Sequence, residues 1–127
     1  MPKRTSIYVE GFSHKNPIPA ACRVGNMVYS GSIQGTDPAT GKYGATLDEQ
    51  SALMFAHVRR IVEAAGGSPE NIVKMTVWLK DRGNREPLNR EWLKMFPDPH
   101  SRPARHAIQS ALDGDKLLEC DFIAVMD

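Results

Sequence analysis

The sequence predicts an α+β fold, with a sheet covered on one face by both helices. Two observations carry this. Short stretches that alternate at period two are interleaved with two helical stretches. Their order reads strand, hairpin, helix, strand, helix, hairpin, a mixture that points to α+β. At 127 residues the chain has the length of one domain, read here as spanning 1–127.

Taken in order, "SIYVE" (6–10) alternates and reads as a short strand. Residues 14–35 hold two apolar runs divided by Gly25-Asn26, a two-residue hairpin signal because glycine supplies the positive φ the turn requires. "TDPATGKY" (36–43) is a loop by its Asp-Pro and Thr-Gly content. Residues 46–65 form the strongest helix. "TLDE" is a capping box, in which the Thr46 hydroxyl accepts from the Glu49 amide and Glu49 reaches back. Leu47, Met54, Val58, Ile61 and Ala65 then share one face, and Gly66-Gly67 ends the run. After the turn "SPEN", residues 72–80 alternate. Val73, Met75, Val77 and Leu79 are expected on one face, with Lys74, Thr76 and Trp78 on the other. Residues 86–96 give the second helix, with Pro87 tolerated in its first turn. Residues 104–111 and 117–126 read as two further strands joined by "LDGD", hence as a hairpin.

The last strand divides cleanly. Leu118, Cys120, Phe122 and Ala124 share one side, and Glu119, Asp121, Ile123 and Val125 the other. Helices cover one side only, so the second, mixed apolar and acidic face is expected to meet another copy in a closed homo-oligomer.

Bulk properties narrow the function. A hydrophobic share of 41% with 24% charged residues is ordinary for a globular chain. The net charge of +1 gives no electrostatic footprint for nucleic acid or for a membrane surface. The basic tip "MPKR" has no apolar run behind it and is not read as a signal peptide. Cys22 and Cys120 are too few for a disulfide scaffold or a zinc site and suit reduced thiols in the cytoplasm.

Arg105 is the leading candidate for chemistry. Its guanidinium stays charged, and its fork grips a carboxylate with two parallel hydrogen bonds. It stands at the start of what reads as a buried strand, so it needs a partner. Either Glu119 or Asp121 supplies one across the expected hairpin, or the arginine waits for a carboxylate from outside. Glu119, mid-strand in an apolar run, suits a proton-transfer group or a residue that orients water. His106 points away from Arg105 in a regular strand and reads as a core or interface residue. His14, His57 and His100 are scattered and form no metal motif, and no phosphate loop or dinucleotide fingerprint is present.

These residues resemble a known family. "RPARHAIQSALDGDKLLECDFIAV" is similar to the C-terminal signature of the RidA/YjgF family, a Pro-Ala-Arg opening followed about 14 residues later by a glutamate. "VGNMVYSGSIQGTDPATGKY" resembles its N-terminal hairpin, and "IVEAAGGSPENIVKMTVWLKD" its central helix-to-strand passage. The resemblance implies a chorismate-mutase-like α+β subunit with a mixed sheet. Three subunits would form a trimeric barrel, sheets inside and helices outside, with three intersubunit clefts. It implies hydrolysis of reactive enamines and imines, such as 2-aminoacrylate, to 2-oxo acids and ammonia, without metal or cofactor. Carried over, Arg105 clamps the substrate carboxylate and Glu119 positions the attacking water. Ser30 and Gly31 line the cleft, and Asn89 is a site asparagine on the second helix. Two departures stand out. Ala107 replaces a cysteine that many members carry, leaving its main-chain amide as the donor. "NPIPAA" replaces a tyrosine, the nearest matches being Ile18 and Pro19. A pathway-specific deaminase of an amino-substituted dienoic acid, or a non-catalytic module that binds small carboxylates, therefore stand beside the general deaminase.

Overall fold

The computed structural model describes residues 3–127; Met1 and Pro2, half of the basic tip, lie outside the described residues. The strands are β1 (Thr5–Ile7), β2 (Ala21–Val24), β3 (Met27–Ser30), β4 (Ile33–Gln34), β5 (Ile72–Leu79), β6 (Ala104–Gln109) and β7 (Leu118–Val125). The helices are α1 (Leu47–Ala64) and α2 (Glu86–Met95), with a 3-10 turn at Pro69–Asn71. The strands make one mixed sheet in the order β1-β2-β3-β7-β5-β6, with β4 continuing along β7 beyond β3. All pairings are antiparallel except β5 with β6.

The β2–β3 hairpin turns at Gly25-Asn26 as expected, with Val24 opposite Met27 and Gly25 at φ +58°. Helix α1 begins where the capping signal places it, and the Glu49 amide donates to Thr46 Oγ1 at 3.1 Å. The return bond differs from the expected box: Glu49 Oε2 accepts from the Ala45 amide at 2.9 Å, one residue earlier. Met54, Val58 and Ile61 are fully buried against Met75, Val77, Phe122 and other inward side chains of the sheet. Each such side chain contributes about 1.5–3 kcal/mol by leaving water. Helix and sheet approach closely at Gly35, where a Cβ would fall 2.2 Å from the Gln50 carbonyl oxygen, so only glycine fits.

Three expectations are corrected. First, residues 104–111 and 117–126 do not form a hairpin. β6 runs parallel to β5 at the sheet edge, and β7 lies between β3 and β5. The stretch from 80 to 103 contains α2 and is long enough for a parallel crossover. The 110–117 segment then carries the chain past β5 instead of folding it back. β6 is consequently half-exposed, not buried. Second, β5 carries a bulge between Ile72 and Lys74, so Ile72, not Val73, joins Met75, Val77 and Leu79 in the core. Val73 is 46% exposed. Third, the first strand is Thr5–Ile7, with only a bridge from Val9 to Phe12 beyond it. In β7 the alternation holds throughout, burying Leu118, Cys120, Phe122 and Ala124.

Candidate functional site

Arg105 lies on the helix side of the sheet. In the parallel register it sits opposite Met75, which is fully buried, and paired residues share a face. The crossover brings α2 over this position. Asn89 and Trp92, three residues apart, present one face of α2 to the arginine. Arg105 Nη2 donates to Asn89 Oδ1 at 2.8 Å. The guanidinium carbon stands 4.9 Å from the centre of the Trp92 ring, a cation–π arrangement. Arg105 Nη1 is buried and has no hydrogen-bond partner among the described residues. Nor does any carboxylate among them form an ion pair with it. Neither Glu119 nor Asp121 neutralises it, because the hairpin that would have brought them close does not exist. Burial, with the nearby charge of Arg85, lowers its pKa from the usual arginine value. A withdrawn cation held by a neutral amide and a ring face is incompletely compensated, which suits a site for an external anion.

Glu119 lies on the opposite face. It is flanked by Trp78 on β5 and Gln34 on β4. Its side chain is 17% exposed, with Lys116 Nζ 3.8 Å from one oxygen and Gln34 Nε2 donating to the other at 3.4 Å. Gln34 also donates to Ser32 Oγ at 3.0 Å. Asp121 shares this face. Burial first, then the charge of Glu119, raises its pKa above the ordinary carboxylate value. The sheet therefore presents a cation on one side and carboxylates on the other, so Arg105 and Glu119 of one chain cannot grip the same small molecule.

The remaining candidates divide between these two faces. Ala107 follows Arg105 on its face, opposite Val77. His106 points the other way, opposite Thr76, and is exposed in the single chain. Ser30 fastens strands together. Its Oγ accepts from the Phe122 amide at 2.8 Å and donates to the Gly31 carbonyl at 2.8 Å. It thereby joins β3 to β7 just where β3 leaves the ladder. The Gly31 amide donates to the Ala20 carbonyl at 2.8 Å. A Cβ on Gly31 would make only ordinary contacts, none nearer than 3.7 Å, so the chain's own packing does not require glycine there. Among the described residues no group of three or more His, Cys, Asp or Glu is placed to hold a metal ion, and no helix is long and apolar enough to cross a membrane.

Sequence reading missed the surroundings of Arg105 and Glu119. Trp92 reads as packing, and its burial agrees, but its ring also carries the guanidinium. The i, i+3 spacing from Asn89 is the available signal. Gln34 and Lys116 reach Glu119 from separate parts of the chain and carry no such signal.

The family model described as "Endoribonuclease L-PSP" matches residues 7–126. The candidate reactive intermediate deaminase TdcF of Escherichia coli is 37% identical over 105 residues, covering 80% of this chain and 81% of that protein. RidA from the Antarctic bacterium Psychrobacter sp. PAMC 21119 superposes with a TM-score of 0.89 at 30% identity, covering 96% of this chain and 99% of that one. E. coli TdcF with bound serine superposes with a TM-score of 0.88 at 29% identity, covering 97% and 99%. The chain belongs to this family, that of the RidA/YjgF proteins, whose relatives here are named reactive intermediate deaminases.

Proposed function

We propose that this protein is a hydrolytic deaminase of 2-imino and 2-enamino acids such as 2-aminoacrylate, releasing 2-oxo acids and ammonia. The observation that carries the reading is the half-buried guanidinium of Arg105, whose Nη1 is buried without a hydrogen-bond partner and which pairs with no carboxylate among the described residues. A lone carboxylate-binding fork suits a small acid better than a polyanion, and the net charge of +1 gives RNA cleavage no support. The serine bound to TdcF is itself a small amino acid.

The two half-sites lie on opposite faces of one sheet, so a complete site needs a second subunit. We place it in a homotrimer, where Arg105, Asn89 and Ala107 of one subunit face Ser30, Gly31 and Glu119 of the next. The open face carries half-buried Trp78, Ile123 and Val125 beside exposed Tyr29, a composition fitted to association. The two free cysteines agree with a cytoplasmic setting.

In this scheme Arg105 takes the substrate carboxylate in a bidentate grip and the Ala107 amide donates beside it. An enamine first gains a proton from solvent at C3 and becomes the iminium ion. Water adds to C2, the C–O bond forms, and the C=N π pair moves to nitrogen. Glu119 accepts the water proton and returns it to nitrogen. The carbinolamine hydroxyl then gives its proton to Glu119 as C=O re-forms, the C–N bond breaks and ammonia leaves. Orientation alone supplies several kcal/mol in such a step, about 7 in favourable cases. The large cavity beside Glu119 favours a larger substrate, such as an amino-substituted dienoic acid, as a second reading.

The test couples a dehydratase that generates 2-aminoacrylate to catalytic amounts of this protein. Arg105→Ala is expected to lower kcat/KM roughly a hundredfold or more, the loss of two charge-assisted hydrogen bonds, with an unchanged elution volume on sizing. Full activity in that variant ends the reading. Tight 2-oxo-acid binding with no ammonia release by the unmodified protein would mark a binding module instead.

A further inference from the structure

Behind Gln34 and Lys116, the two side chains that reach Glu119, the chain leaves a cavity of about 670 Å3, far more than a three-carbon imine fills; its walls also include His14, Ile18, Ser32 and Tyr43. Two groups in it can take a ligand, one that lacks a hydrogen-bond partner and one that is paired only at long range. His14 Nε2 is buried and has no hydrogen-bond partner among the described residues. The ring is held edge-on by Phe12 at 5.3 Å between centroids. Its free nitrogen lies at the open side of Gly31, where a Cβ would sit 3.7 Å away. Lys116 is the other group. Its side chain is only 20% exposed, and its 3.8 Å approach to Glu119 is too long for a hydrogen bond, so its ammonium donors remain available.

Burial and the charge of Lys116 hold the His14 pKa below its ordinary value, which keeps the imidazole neutral near neutral pH, with one ring nitrogen carrying a donor. In the tautomer that protonates Nε2 a buried donor is left without an acceptor, which is costly, and a half-buried ammonium is satisfied best by an anion. One carboxylate meets both needs. Lys15 and Asp113 also line the cavity and oppose each other in charge.

We propose that this cavity is a second carboxylate subsite, in which Lys116 Nζ and His14 Nε2 bind the distal acid of a 2-imino or 2-enamino diacid. Arg105 of the adjoining subunit takes the carboxylate next to the C=N bond, which rests on the site assigned under Proposed function. Glu119, between Gln34 and Lys116, then faces the reacting carbon.

Calorimetric titration of the intact oligomer with two stable product analogues, 2-oxobutanoate and 2-oxoglutarate, tests this. The diacid is expected to bind about tenfold tighter or more, the worth of one charge-assisted contact. Lys116→Met and His14→Phe should each bring that ratio down toward one, and His14→Gln, which restores a donor, should keep part of it. A second measurement needs no variant. By NMR, the diacid should raise the His14 pKa, because a bound carboxylate favours the imidazolium, whereas 2-oxobutanoate should leave it in place. Equal affinities, a ratio untouched in both variants, or a His14 resonance indifferent to the diacid overturns the proposal. If 2-aminoacrylate is deaminated yet no diacid preference exists, the subsite fails alone. If the preference exists and depends on His14 while no imine is hydrolysed, the subsite stands and the deaminase reading falls.

Discussion

Arg105 and His57 are both basic groups withdrawn from water, and the chain treats them differently. Arg105 keeps its charge and is left partly unmatched, half-buried on the helix side of the sheet. His57, fully buried in α1, is satisfied inside the chain. Its Nε2 donates to the Thr36 carbonyl at 2.7 Å, and Arg60 Nη1 donates to Nδ1 at 3.4 Å. The second contact requires the neutral ring. Burial, the largest cause, lowers the His57 pKa below 6.5, with Arg60 acting in the same direction and the Thr36 bond opposing. As pH falls below about 6.5, the unfolded chain takes up a proton that the folded chain resists. Stability is therefore complete above that value and is lost on acidification through the lower folded pKa, with His14 adding to the same slope. Thermal unfolding followed across this window should give a midpoint that declines with pH, and less steeply in a His57→Gln variant. A midpoint that climbs on acidification would contradict the assignment.

At the scale of elements, α1 does more than cover the sheet. Gln50, 1% exposed, uses its whole amide. Nε2 donates to the carbonyls of Gly44 and Asp115, both at 2.9 Å, and Oε1 accepts from the Leu117 amide at 2.9 Å. One helical side chain thus anchors the loop into α1 and the connection from β6 into β7, including the backbone on both sides of Lys116. Gln50→Leu retains the volume but strands three backbone groups. It is expected to cost about 3 kcal/mol, at roughly 1 kcal/mol for each lost bond. Denaturant titration checks this, and a loss well under 1 kcal/mol would show that water replaces the amide at little cost.

At the scale of the molecule, the face assignment makes a sharp prediction. Arg105 and Glu119 belong to opposite sides of one sheet, so the proposed site, which uses both, is expected to draw them from two subunits. Arg105→Ala and Glu119→Ala should each be inactive alone. Unfolding them together and refolding the equimolar mixture should restore about a quarter of the wild-type clefts, those that by random assembly draw both residues from unmutated positions. A mixture no more active than its components would show that the site is built within one chain, or that these residues are not its parts.

Much of this was readable along the chain. The Thr46 cap, the spacing of Met54, Val58 and Ile61, the Gly25-Asn26 turn and the alternation of β7 are local or periodic signals, so they appear in the sequence itself. The demand of Arg105 for a partner was readable too, because a fixed charge entering a strand needs one wherever the strand goes. Which partner it has was not readable. A hairpin and a parallel crossover have the same local pattern at residues 104–126, and strand order follows from the total burial achieved by the whole sheet. The bulge that exchanges Ile72 for Val73 is likewise a matter of register with β7. Glu119 meets Gln34 and Lys116 from stretches that no local pattern links. The sequence thus specifies the elements and the chemically demanding residues, because their causes act over a few neighbours. Strand order and the sorting of those residues onto opposite faces arise from long-range packing, and they separate arginine from glutamate and leave His14 Nε2 without a partner among the described residues, beside Gly31.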